Sequence, residues 1–150
     1  MKEEISNWRT KMGLDFITRP QEDKLKAAVE LSTIQLDNMP LVDLDEFLLV
    51  LSNYYVYLGS EIGRLSARAR FLSDELQYKV SNKTQSIGGG TAEERRSLII
   101  SLDEKLGDLS KTLTMTRAQI EQLNPVYDAI KMKLDSLKRI YFRRTSEKRD

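Results

Sequence analysis

LDEFLLVLSNYYVYLGSEIGRLSARARFLSDEL, residues 44–76, carries apolar side chains at alternating steps of four and three: Leu44, Leu48, Leu51, Tyr55, Leu58, Ile62, Leu65, Ala69, Leu72 and Leu76. That alternation is the a/d seam of a heptad repeat, and it predicts one long helix with a continuous apolar stripe. At 1.5 Å of rise per residue the helix would run about 50 Å, so it needs a partner along its whole length. Its start is marked by Asp43, placed to accept the free amides of the first turn, with Glu46 reaching back and Val42 and Phe47 at the positions of a hydrophobic staple.

Working outward, the long helix is predicted over 43–80. It gives way to a flexible, glycine-rich loop at 81–91 that contains Gly88-Gly89-Gly90. Thr91 with Glu94 forms a second capping box, and a second heptad follows through Ile99, Leu102, Leu106, Leu109, Leu113, Thr116, Ile120 and Leu123. Two seams joined by a loop pack most simply as an antiparallel hairpin. The second seam stays in phase beyond Pro125 through Tyr127, Ile130, Leu134, Leu137 and Tyr141. Proline removes a backbone hydrogen bond, so either a kinked continuous helix or a break at Asn124-Pro125 is expected, giving helices at 92–124 and 126–144. Before the long helix, Thr18, Pro20 and Gln21 mark a helix over 19–38, stopped by Pro40, and residues 1–17 read as an arm. The expectation is a single elongated all-α domain.

Composition narrows the function. The chain has 150 residues, balanced charges at net +1, and neither cysteine nor histidine. Disulfides and thiolate sites are excluded, and no catalytic residue, metal site or cofactor is predicted. Gly88-Gly89-Gly90 lacks the Gly-Lys-Ser/Thr of a phosphate loop, and no calcium-loop spacing occurs. Apolar runs such as Phe47 to Leu51 are far too short to span a bilayer, and the acidic start is no signal peptide, so a cytoplasmic protein is expected.

Beside the first seam lies a second row at Phe47, Val50, Tyr54, Tyr57, Glu61, Arg64, Arg68, Phe71, Glu75 and Tyr78. Its first half is apolar and aromatic and calls for a further partner, such as the helix from Leu25 to Leu36. Its second half alternates cations and rings, with Arg70, Lys79 and Lys83 near, which suits guanidinium-phosphate pairing and base stacking on single-stranded nucleic acid. The competing reading is a solvated surface, with Glu61–Arg64 and Glu75–Lys79 as ordinary helix pairs. From Lys131 to Asp150 eight cations face three carboxylates, net +5 in a chain of net +1. Lys138, Arg139, Arg143 and Arg144 are therefore auxiliary candidates for a polyanion, although cations also stabilise helix C-termini. Phe47, Tyr54, Tyr57, Tyr127, Ile130, Leu134, Leu137 and Tyr141 offer more apolar surface than one hairpin covers, and predict a homo-oligomer.

This order of parts resembles the UvsY family of bacteriophage recombination mediators: amino-terminal helices, a basic and aromatic helix around Arg64 to Lys83, a polar loop, then helices leading to a basic end that includes Asp128-Ala129-Ile130-Lys131. The resemblance implies a non-catalytic, oligomeric protein of the host cytoplasm. Such a protein binds single-stranded DNA, contacts a recombinase and a single-strand-binding protein, and loads the recombinase. The alternative from residues alone is a structural or adaptor coiled coil that binds another protein, as in phage assembly, and the near-zero net charge favours it.

Overall fold

The computed structural model describes residues 22–84 and 88–147; the arm at 1–17 and the helix start at Thr18 lie outside them. The fold is all-α, and among the described residues it contains five helices and no strand. They are α1 (Glu22–Glu30), α2 (Thr33–Asn38), α3 (Leu41–Thr84), α4 (Ala92–Leu102) and α5 (Glu104–Ser146). Among the described residues no helix is long and apolar enough to cross a membrane.

Several predicted boundaries move: α3 runs on to Thr84 instead of giving way to a loop at residue 81, α5 reaches Ser146 rather than 144, and three further changes have a local reason. The helix expected over 19–38 is two helices, because Ser32 forms a capping box with Gln35. The Ser32 hydroxyl accepts from the Gln35 amide at 3.4 Å and Gln35 Oε1 accepts from the Ser32 amide at 2.8 Å. The long helix opens at Leu41, so Asp43 sits inside the first turn rather than at its cap, and Val42 is exposed instead of stapled to Phe47.

The second ribbon breaks at Asp103, not at Asn124-Pro125. Asp103 is extended (φ −113°, ψ 106°), and its amide closes α4 by donating to the Ile99 carbonyl at 3.2 Å. Its Oδ1 then opens α5, accepting from the amides of Lys105 at 3.0 Å and Leu106 at 3.2 Å. Leu102, a seam residue by spacing, consequently ends exposed. α5 runs on through Pro125 to Ser146. An interior proline costs roughly 3 kcal/mol, and just beyond it Tyr127 stacks on Tyr55 while Ile130 and Leu134 are buried.

The described residues divide into two compact units, 22–60 with 125–147, and 61–124. In the first, Leu44, Leu51 and Leu58 of α3 are buried with Ile130, Leu134, Leu137 and Ile140 of α5, and with Leu25, Ala28 and Leu36. The pairing is antiparallel: Tyr55 stacks on Tyr127 with centroids 4.4 Å apart, and Met39, just before α3, meets Arg144 near the end of α5. The Tyr127 ring also approaches Gly59, where a Cβ would stand 3.4 Å from it.

In the second unit Ala69, Leu72, Leu76 and Val80 of α3 form one core with Ile99, Leu106 and Leu113. Thr116 is buried in the seam, its hydroxyl satisfied by the Thr112 carbonyl at 2.8 Å. The turn into α4 needs its glycines: Gly89 and Gly90 have φ of 87° and 76°. Thr91 then caps α4 with Glu94, whose carboxyl is held below its usual range mainly by hydrogen bonding from the Thr91 amide and hydroxyl.

Candidate nucleic-acid interface

The cation and ring flank of α3 lies in the second unit. Helical spacing puts Arg64, Arg68, Phe71 and Tyr78 along one side of the helix, whereas Arg70, two residues from Arg68, points about 200° around it. Arg70 is exposed but belongs to a different side. Phe71 is 47% and Tyr78 69% exposed, and neither has an aromatic partner among the described residues. Rings with an accessible face are the feature that stacking on bases requires.

The cations divide into held and unheld. Arg64 donates to Glu61 Oε2 from Nε at 3.1 Å and Nη2 at 2.8 Å. Lys79 pairs with Glu75 at 2.6 Å, and Lys83 pairs with Asp103, whose carboxyl is held below its usual range chiefly by that bond. Arg68 is half-buried and has no ion pair among the described residues. It is the cation of the row best placed to meet an anion. Exposed Arg96, Lys111 and Arg117 add cations without ion pairs among the described residues to the same unit; spacing gave no reason to single them out.

The basic carboxyl-terminal segment separates in the same way. Lys138 and Arg139 are exposed and without ion pairs among the described residues. Arg143 pairs with Asp37, and Arg144 donates from Nη1 to the carbonyls of Leu36, at 3.4 Å, and Met39. Lys133 donates to the Leu31 carbonyl. Three of the basic residues thus engage groups at the ends of α1 and α2.

Much of the apolar surface predicted for self-association is used within one chain. Ile130, Leu134 and Leu137 are buried, and Tyr127 is stacked on Tyr55. Hydrogen bonding to Tyr55, then burial, raises the Tyr127 phenol above its ordinary range. Tyr54 and Tyr57 stack on each other at 6.1 Å and stay half-buried, and Tyr141 meets Phe142 edge to face at 6.1 Å. Phe47 and Val50 line an open groove of about 260 Å³ together with Glu46 and with Asp23, Lys24 and Ala27 of α1. Among the described residues no acidic cluster is arranged to hold a metal ion.

Comparison with protein-family models, curated proteins and solved structures finds no match for this chain.

Proposed function

We propose that this chain is a non-catalytic, self-associating helical protein that binds single-stranded nucleic acid along the Arg64-to-Tyr78 flank of α3. The observation that carries the reading is the exposure of Phe71 and Tyr78 on the same side as Arg68, which has no ion pair among the described residues. Rings would stack on bases while Arg68, with Arg64 and Lys79 released from their carboxylates, would meet phosphates. With the layout resembling UvsY-type mediators, the role proposed is recombinase loading in a phage-type system, with a recombinase and a single-strand-binding protein as partners.

A second reading has its own support. Arg64, Lys79 and Lys83 are each engaged by a carboxylate, and the net charge is only +1. That pattern suits an adaptor whose flank docks a protein. Fluorescence anisotropy of a labelled single-stranded DNA, titrated at low and moderate salt beside a duplex control, separates the two. Strand-selective binding that weakens steeply with salt supports the first reading; no binding at low salt leaves the adaptor.

A further inference from the structure

Within the second unit, α4 (Ala92–Leu102) is the helix with the least holding it down. Of its eleven residues Ile99 alone is buried, Arg95 and Ile100 are half-buried, and the others are exposed. By contrast α3 commits Ala69, Leu72, Leu76 and Val80 to the same core, and α5 commits Leu106 and Leu113. The polar ties of α4 are local as well. Among the described residues its side-chain hydrogen bonds join Glu94 with Thr91 and Ser101 with the Leu98 carbonyl, and none reaches another helix.

Docking of α4 also carries a cost. Arg95 stands four residues before Ile99 and so shares its inward face. Its Nε is buried and has no hydrogen-bond partner among the described residues. A guanidinium cannot shed the proton at protein pH values, so this donor regains a partner only where water reaches it.

Both ends of α4 are built to pivot. On one side Gly89 and Gly90 take φ of 87° and 76°, and on the other Asp103 is extended and separates α4 from α5. The Asp103 side chain is tied to Lys83 and to the first amides of α5, so α5 keeps its cap when α4 moves. An isolated helix shorter than about 12–15 residues is marginal in water. Once Ile99 leaves the core, α4 therefore loses its helix too.

We infer that α4 is a flap that opens and unfolds as one piece between Gly89-Gly90 and Asp103, while α3 and α5 of the same unit remain folded. Opening hydrates Arg95 Nε and exposes the part of the core that Ile99 closes. The flap holds whether or not the chain binds nucleic acid.

Native-state hydrogen exchange of the full chain, resolved by residue, tests it. The amides of 96–102 are expected to share one level of protection, about tenfold or more below that of 65–80 and 109–120. Urea below the unfolding midpoint is expected to speed exchange at 65–80 and 109–120 strongly and at 96–102 little, because a small opening exposes little surface. Arg95→Met keeps the helix propensity and the apolar stem but removes the unpartnered donor, and is expected to raise protection of 96–102 several-fold. Protection of 96–102 equal to that of the neighbouring helices, with the same urea dependence, overturns the flap. So does protection that climbs steadily from one end, as in fraying, or an Arg95→Met chain whose 96–102 amides are unchanged or less protected. Nucleic acid is absent from the measurement, so failure here and failure of the proposed function are distinguishable.

Discussion

Lys133 donates its ammonium to the backbone carbonyl of Leu31, across 102 positions of sequence, just beyond the end of α1. Ten residues on, Arg143 and Arg144 engage Asp37 and the carbonyls of Leu36 and Met39. The basic character of this part of α5 thus serves the carboxyl ends of two short helices, where carbonyls lack intrahelical donors. Arg144→Ala is expected to cost about 1–2 kcal/mol, as loss of a charged donor to partly buried carbonyls. Arg143→Ala, whose ion pair with Asp37 is largely solvent-exposed, should cost under about 1 kcal/mol. Urea unfolding of the two variants measures the order, and equal effects would refute this division of roles.

Asp103 supports a prediction in which charge and hydrogen bonding separate. It caps α5 and pairs with Lys83. Its folded pKa is depressed, and so is that of Glu94, so both contribute stability that is present above their unfolded pKa values and lost as pH falls through the folded ones. Asp103→Asn should keep a capping oxygen and flatten this acid dependence. Asp103→Ala should lose the cap as well and so be the less stable of the two at neutral pH. Thermal melts at neutral and acid pH, compared across the two variants, decide between these outcomes.

At the alkaline end Tyr127 is the group to watch. Its folded pKa is raised, so the stability it contributes is complete below the ordinary tyrosine range and is lost as pH rises through the folded value. Tyr127→Phe keeps the ring against Tyr55 and Gly59 and should weaken that alkaline dependence. Tyr127→Ala removes the stacking and should lower stability already at neutral pH, where Tyr127→Phe does not. Denaturant melts at neutral and alkaline pH would expose an error if Phe and wild type lost stability in parallel.

How far the fold was legible is clearest at Leu102 and Leu106. Both satisfy the heptad, and nothing in apolar spacing distinguishes them; the difference comes from Asp103 turning its side chain back onto the next two amides it can reach. Ser32 with Gln35 was readable as a capping box, but the apolar series Leu25, Ala28 and Leu36 runs through it and suggests one helix. Periodicity therefore located the seams and missed the breaks, because a break is set by one side chain's hydrogen bonds while a seam averages over many residues. The candidate flank followed the same logic. Helical spacing placed Arg64, Arg68, Phe71 and Tyr78 on one side, yet the nonlocal partners of Lys83, Arg143 and Arg144 have no counterpart in spacing. The contrast is measurable: Leu106→Ala should cost about 2–5 kcal/mol and Leu102→Ala within about 0.5, by denaturant melts.

The flank itself carries the last prediction. If single strands lie along α3, Arg68→Ala should weaken binding more than Arg64→Ala, because Arg64 must first leave Glu61 and gains only the difference between two ionic partners. Phe71→Ala and Tyr78→Ala should each cost about 1–3 kcal/mol in affinity, the range for loss of one stacked base, with little change in stability because both rings are exposed. Arg68→Ala should also reduce the slope of log affinity against log salt by about 0.7, the value for one phosphate contact on a single strand, while the ring variants leave the slope intact. Arg70→Ala, on another side of the helix, serves as the control. Equal losses for Arg68 and Arg70 variants would mean that general charge, rather than this flank, holds the strand.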